Sequence, residues 1–228
     1  MLYDFADCAE TTREPAFAWL SWPQKFVAKR FTCGISKAMS ALRQSELLNV
    51  EEYLAGEETA TERHEYLAGA VYAMAGGTNR HAQIGANVLI ALGIQLRGKK
   101  CRPLASDSKV RVRAQSGDYF YYPDVSVACS ALPPNQVWYD SPTVIFEVVS
   151  PSSENTDHRE KRFLYQLIPT LRSYVIVEQE SRALTVWRRT GDTWKHELVE
   201  GAEAILALPE IECAIPLAEI YEGIDETN

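Results

Sequence analysis

From Val144 to Val149 the chain is apolar at every position but one. A short continuous apolar run, rich in β-branched residues and set between Pro142 and Pro151, predicts a buried central strand. The exception is Glu147. An ionised carboxylate in a buried strand is costly unless it is paired or bound to a metal, so this residue is the first candidate for chemistry.

The rest of the chain is punctuated around that strand. Asn49 followed by Glu52 is a capping-box pattern and predicts a short helix to Leu54. Glu65 to Met74 reads as two short strands turning at Ala68-Gly69. After Gly76-Gly77, Thr78 or Asn79 caps a helix with Ile84, Val88, Ala91 and Gln95 on one side and Leu89, Leu92 and Leu96 beside them. Gly98 suits its C′ position. Lys109 to Arg113 alternates strictly, predicting a half-exposed strand with a basic face. Pro123 suits a strand start, with Val125 and Val127 on one face and Asp124 and Ser126 on the other.

Residues 130–142 read as a loop, and Ser150 to Thr156 as a turn capping a helix over Asp157 to Leu167. Strands follow at Ser173–Val177, Ala183–Trp187 and Thr193–Val199, and Pro216 opens a short last helix. This order predicts an α+β (or α/β) fold: a mixed sheet flanked by two main helices, with an antiparallel C-terminal meander. Residues 1–38, with Trp19 and Trp22 around Pro23, show no sustained period. They are expected to be an extension of unknown role, or a docked arm, with Met39 as a candidate true start. Residues 39–228 are expected to form one domain.

Composition narrows the classes. A net charge of −8 and a pI of about 5.1 argue against nucleic-acid binding through bulk charge, though not against a local groove or a metal-bridged phosphate. The five cysteines, Cys8, Cys33, Cys101, Cys129 and Cys213, are odd in number and lack a CxxC pair, so free thiols in a reducing compartment are expected. No apolar stretch has membrane-spanning length, and the first twenty residues do not read as a signal peptide. The expectation is a cytoplasmic protein with no membrane partner.

Asp124 at a strand start, Glu147 inside the next strand and Lys161 on the helix that follows form a set. Two carboxylates from neighbouring strands, with the Val148 carbonyl as a further oxygen, can hold Mg²⁺ or Mn²⁺. A lysine can steady an attacking hydroxide or a scissile phosphate. Together these are the means of phosphodiester hydrolysis. Each has a plainer account: Glu147 as a buried ion-pair partner, Asp124 as a turn residue, Lys161 as the i+4 partner of Asp157.

Tyr121-Tyr-Pro-Asp124-Val, Phe146-Glu147-Val-Val-Ser-Pro151, and Asp157-His-Arg-Glu-Lys161 with Tyr165 four later resemble the Uma-two family of restriction endonucleases, within the PD-(D/E)xK superfamily. Glu65 to Met74 and the helix near His81 fit the same likeness, which spans roughly residues 45–200. It implies a restriction-endonuclease-like core, DNA as substrate, Asp124 and Glu147 as metal ligands, and Lys161 supplying the lysine that Val149 replaces on the strand. It implies Glu65 as an accessory acid, and a possible homodimer with the C-terminal strands as an interface. The alternative is a catalytically inactive nucleic-acid- or protein-binding module on the same scaffold.

Several other residues carry two readings. His81 could contact a phosphate or simply pack and cap. Lys109, Arg111 and Arg113 could touch a nucleic-acid backbone or form a solvated face. Tyr119, Tyr121 and Tyr122 could stack on bases or fill a core. Asp107 could cap a loop or support the site. His64, His158 and His196 show no ligand spacing, and Ser150, Ser152 and Ser153 are read as turn residues.

Overall fold

A computed structural model of the chain describes residues 47–74, 76–149, 157–201 and 203–224. The expected N-terminal extension and the Ser150–Thr156 turn lie outside these.

The capping box at Asn49 forms as expected: the Asn49 side chain accepts from the Glu52 N–H and the Glu52 carboxylate accepts from the Asn49 N–H, opening α1 (Val50–Glu57). β1 (His64–Leu67) and β2 (Ala70–Ala73) turn at Ala68-Gly69. Thr78 caps α2 (Asn79–Leu96). β3 (Arg102–Ala105), β4 (Lys109–Ala114), β5 (Gly117–Tyr121) and β6 (Val125–Ala128) follow. The expected loop before the central strand holds a short strand, β7 (Trp138–Tyr139). Then come β8 (Pro142–Val149) and α3 (Asp157–Tyr165), followed by the meander β9 (Ser173–Glu178), β10 (Ala183–Thr190) and β11 (Thr193–Glu200). A small hairpin, β12 (Ile205–Leu208) and β13 (Cys213–Pro216), leads into α4 (Leu217–Ile220) behind Pro216.

The strands make two principal sheets where the sequence suggested one. The first has the order β2-β1-β5-β4-β7 and the second β11-β10-β9-β8-β6-β3, with β8 parallel to β9 and antiparallel to β6. The strand start expected at Pro123 falls at Val125. The chain leaves the first sheet after Tyr121 and enters the second at Val125.

Period-2 alternation in β8 distributes its side chains between two cores. Val144, Phe146 and Val148 pack with Val125, Val127, Val175 and the apolar face of α2 (Ile84, Val88, Leu92). Ile145 faces the opposite way, into a core shared by Val110, Tyr121, Tyr165 and Tyr174, between the second sheet, α3 and the first sheet. Glu147 belongs to this second row. A third cluster, Tyr53, Tyr66 and Phe120, seats α1 on the far side of the first sheet.

The cysteine expectation is corrected. Cys101 and Cys129, which flank the paired ends of β3 and β6, are joined by a disulfide, while Cys213 is free and buried. Neighbouring strands bring two residues 28 apart in sequence together, a proximity that spacing alone does not show. Cys8 and Cys33 lie outside the described residues. Among the described residues no helix is long and apolar enough to cross a membrane.

Gly69 occupies the β1–β2 turn at φ +108°, where a Cβ would lie 2.7 Å from the Leu47 Cβ. Its carbonyl also accepts the Leu48 N–H. Gly69→Ala combines a left-handed backbone with a steric clash. It should cost about 1–3 kcal/mol of stability, measured by denaturant melting.

Candidate active site

The site forms where β8 runs past the start of β6. Val125 pairs with Phe146, so Asp124, one residue earlier, lies alongside the Glu147–Val148 end of β8. The Val148 N–H has no strand partner on that side and donates to Asp124 Oδ2 at 2.7 Å. N–H and C=O of an extended residue leave the same strand edge, so the Val148 carbonyl also faces the Asp124 side. Asp124 Oδ1 is 2.8 Å from His81 Nε2. His81 is held in the first turn of α2, where its N–H donates to the Thr78 hydroxyl cap. Gly77 makes room for it: a Cβ there would sit 3.0 Å from the imidazole. The bond to Asp124 raises the pKa of His81 above its ordinary value, against the opposing effect of burial.

Glu147 is 4 % exposed. The Tyr165 hydroxyl donates to its Oε1 at 3.0 Å. Lys161, one turn earlier on α3, places Nζ 4.0 Å from the same oxygen and 2.7 Å from Glu65 Oε1, and lies over the Tyr121 ring. Val149, at the strand position where a lysine would serve such a site, is fully buried. Lys161 reaches the carboxylates from the helix instead.

Two carboxyls, Glu65 and Glu147, thus meet one ammonium, and Asp124 acts on the group at longer range. Burial pushes the Glu147 carboxyl up to about 8. Lys161 opposes that shift, and the negative charges of Asp124 and Glu65 add to it. Burial works against the charged form of Lys161, but Glu147 and Glu65 hold its pKa above the ordinary lysine value. Carboxyl groups outnumber the ammonium here, so ionising Glu147 is costly, and a bound cation would relieve that cost.

Among the described residues no three His, Cys, Asp or Glu side chains converge as a ready metal cage. The donors that fit a hard divalent ion are the Asp124 and Glu147 carboxylates and the Val148 carbonyl. All are oxygens, and their charge matches what the site lacks.

Glu65 is itself held from behind. The residue before it, His64, is gripped at three points: its ring by Glu57 Oε1 at 2.9 Å, its N–H by Glu57 Oε2 at 3.4 Å, and its carbonyl by the Tyr53 hydroxyl at 2.7 Å. Glu57 Oε2 also accepts from Tyr122 at 2.6 Å and faces Lys109 Nζ at 3.6 Å. This corrects the reading of β4 as a basic outer stripe. Lys109 is buried against Glu57, and desolvation lowers its pKa. Arg111 is paired with Asp118, while Arg113 reaches Asp140 at the surface. Tyr119, Tyr121 and Tyr122 are buried in the fold and so do not offer a stacking surface. Asp107 is a surface partner of Arg63.

Sequence reasoning gave no role to Tyr165, whose signal was its position one helical turn beyond Lys161. It also missed the Glu57–Lys109 pair. An open groove of about 690 Å³ lies at the other end of β8 and β9, by Thr143 and Ser173, and Glu147 does not line it.

Comparisons with known proteins agree with this architecture. The domain has a restriction-endonuclease-like fold. It superposes on the crystal structure of a "putative nuclease belonging to DUF820" from Anabaena variabilis ATCC 29413 with a TM-score of 0.60 and 15% identity, over 76% of this chain and 97% of that one. The chain belongs to the Uma2 family, whose model, described as "Putative restriction endonuclease", matches residues 50–218. Two similar proteins come from Synechocystis sp. (strain ATCC 27184 / PCC 6803 / Kazusa). Uncharacterized protein slr1290 is 32% identical over 78% of this chain and 93% of its own length. Uncharacterized protein sll1609 is 29% identical over 68% of this chain and 88% of its own length.

Two outcomes follow from these charges. Glu147 binds its proton more tightly folded than unfolded. Between the ordinary glutamate value of 4.5 and about 8, the folded protein therefore holds more protons, and stability falls as pH rises through that window. In EDTA, Glu147→Gln should melt several degrees higher than wild type at pH 8 and show a flatter melting profile between pH 5 and pH 8. The clamp behaves oppositely. Glu57→Gln strands Lys109 in the interior and should cost about 3–5 kcal/mol in urea unfolding. The double variant Glu57→Gln with Lys109→Met should recover most of that loss.

Proposed function

We propose that the protein is a Mg²⁺- or Mn²⁺-dependent endonuclease that hydrolyses DNA phosphodiester bonds, with Asp124 and Glu147 holding the ion and Lys161 acting on the phosphate and the nucleophile. One observation carries this reading. Lys161, on the helix after the central strand, reaches the buried Glu147 and the half-buried Glu65, so carboxyl groups outnumber the ammonium there. The description of the Uma2 family supports DNA as the substrate.

A polyanion cannot approach three carboxylates unless positive charge compensates them. A divalent ion held by Asp124, Glu147 and the Val148 carbonyl would supply that charge and make water a better nucleophile at neutral pH. The chain's own residues have distinct parts. His81 and the Val148 N–H fix the rotamer of Asp124. Tyr165 orients Glu147. Glu65 holds Lys161 at 2.7 Å, leaving the ammonium's remaining donors for a phosphate oxygen or the attacking water. Because the overall charge is −8, recognition of DNA rests on this local compensation and not on bulk attraction.

The test is cleavage of supercoiled plasmid by wild type, Asp124→Ala, Glu147→Ala and Lys161→Ala, each with Mg²⁺, Mn²⁺ or EDTA. Wild-type cleavage should require the ion. Each variant should fall by about a hundredfold or more while retaining a folded spectrum. An unchanged rate in Glu147→Ala would overturn the assignment. Absence of wild-type cleavage on supercoiled, linear and single-stranded DNA would replace it with a non-catalytic binding module.

A further inference from the structure

The groove at the Thr143 end of β8 is basic, on a chain whose net charge is −8. Four cationic side chains line it, Lys100, Arg172, Arg188 and Arg189, against one carboxylate, Glu210. It is separate from the candidate active site, since Glu147 does not line it.

Two of the four cations are engaged within the protein. Arg189 donates from Nε to the Leu171 carbonyl at 2.8 Å, and from Nη2 to the carbonyls of Gln166 and Ile168 at 2.9 and 2.8 Å. Arg188 is shared between Glu197, at 2.8 Å, and Glu210, at 3.9 Å. The other two are exposed, and among the described residues neither Lys100 nor Arg172 has a side-chain hydrogen bond or an ion pair.

Arg172 is nevertheless fixed at its backbone. Its N–H donates to the Thr143 carbonyl at 2.8 Å, and its carbonyl accepts the Arg189 N–H at 2.9 Å. Two arginines are thus held side by side. Burial and then the Arg172 charge lower the pKa of Arg189, with Asp192 opposing. Like charges held together are relieved by an anion. Lys100 precedes Cys101 and Ser130 follows Cys129, so the disulfide keeps both at one rim. The Ser130 and Ser141 hydroxyls share a hydrogen bond at 2.7 Å, which leaves one hydroxyl hydrogen to donate.

Glu210 adds a different demand. Its Oε1 is buried and accepts no hydrogen bond among the described residues. A buried acceptor without a donor is unfavourable, and a ligand hydroxyl would satisfy it.

We propose that this groove binds a small phosphomonoester carrying hydroxyl groups, with its phosphate on Lys100 and Arg172 and a hydroxyl donating to Glu210. A guanidinium fork and an ammonium suit the several oxygens of a phosphate. The volume, about 690 Å³, is that of a small-ligand pocket. Two free cations are few for following a nucleic-acid backbone, which favours a small molecule as the occupant. The inference does not depend on the chemistry assigned to Glu147.

The test is calorimetric titration of the full chain in EDTA with inorganic phosphate and with ribose 5-phosphate, at matched ionic strength. Both should bind one per chain, ribose 5-phosphate the more tightly. Arg172→Gln and Lys100→Gln change exposed side chains and should leave the melting temperature unaltered, yet each should weaken both probes about tenfold. Glu210→Ala should abolish the advantage of ribose 5-phosphate without weakening inorganic phosphate. Absence of binding by both probes would overturn the proposal, as would affinities unchanged in Arg172→Gln and Lys100→Gln. Binding of duplex DNA that falls in those two variants, with neither probe bound, would overturn it and assign the groove to a nucleic acid instead.

Discussion

The ammonium of Lys161 is the point on which the site depends. It lies in an interior where an unmatched carboxylate is expensive, and it is shared between two of them, Glu65 from the first sheet and Glu147 from the second. Coulomb attraction in such surroundings is strong and weakly screened. One cation on α3 therefore couples both sheets as well as compensating charge. The tyrosines around it serve the same economy of space: Tyr165 and Tyr121 provide apolar bulk for packing and, respectively, a hydroxyl and a ring face toward the charged groups.

The support extends two layers outward. Glu57 and Tyr53 of α1 hold His64, and His64 fixes the backbone next to Glu65. On the opposite side, the first turn of α2 brings His81 to Asp124. Each carboxylate is thus positioned by a different element, and Lys161 by a further one, so the arrangement exists only when the whole domain is assembled. Such preorganisation is what a site needs if its groups are to act without rearranging.

Much of this was legible in the chain. The β-branched run around Glu147, the Asn49 box and the Thr78 cap are local signals whose physics is complete within a few residues, and they formed as expected. Glu147 drew attention because charge inside an apolar run is visible in one dimension, whereas Lys161 and Glu65 became candidates only through the resemblance to the Uma-two family. What was not legible is long-range. Lys109 alternates like a solvated strand residue, but α1 crosses its face and buries it with Glu57. Cys101 and Cys129 look like scattered thiols until β3 and β6 pair. The division into two sheets turns on Tyr122-Pro-Asp124, where proline interrupts pairing but nothing local says that the next strand joins a different sheet.

The two ends of the six-stranded sheet differ. β3 is four residues long, contains Pro103, which has no N–H, and is tied to β6 by the Cys101–Cys129 bridge. β11 is twice as long and carries no proline. The β3 end, short and interrupted by Pro103, is therefore the poorer template for strand addition, and any tendency of the sheet to extend by backbone pairing is weakest there.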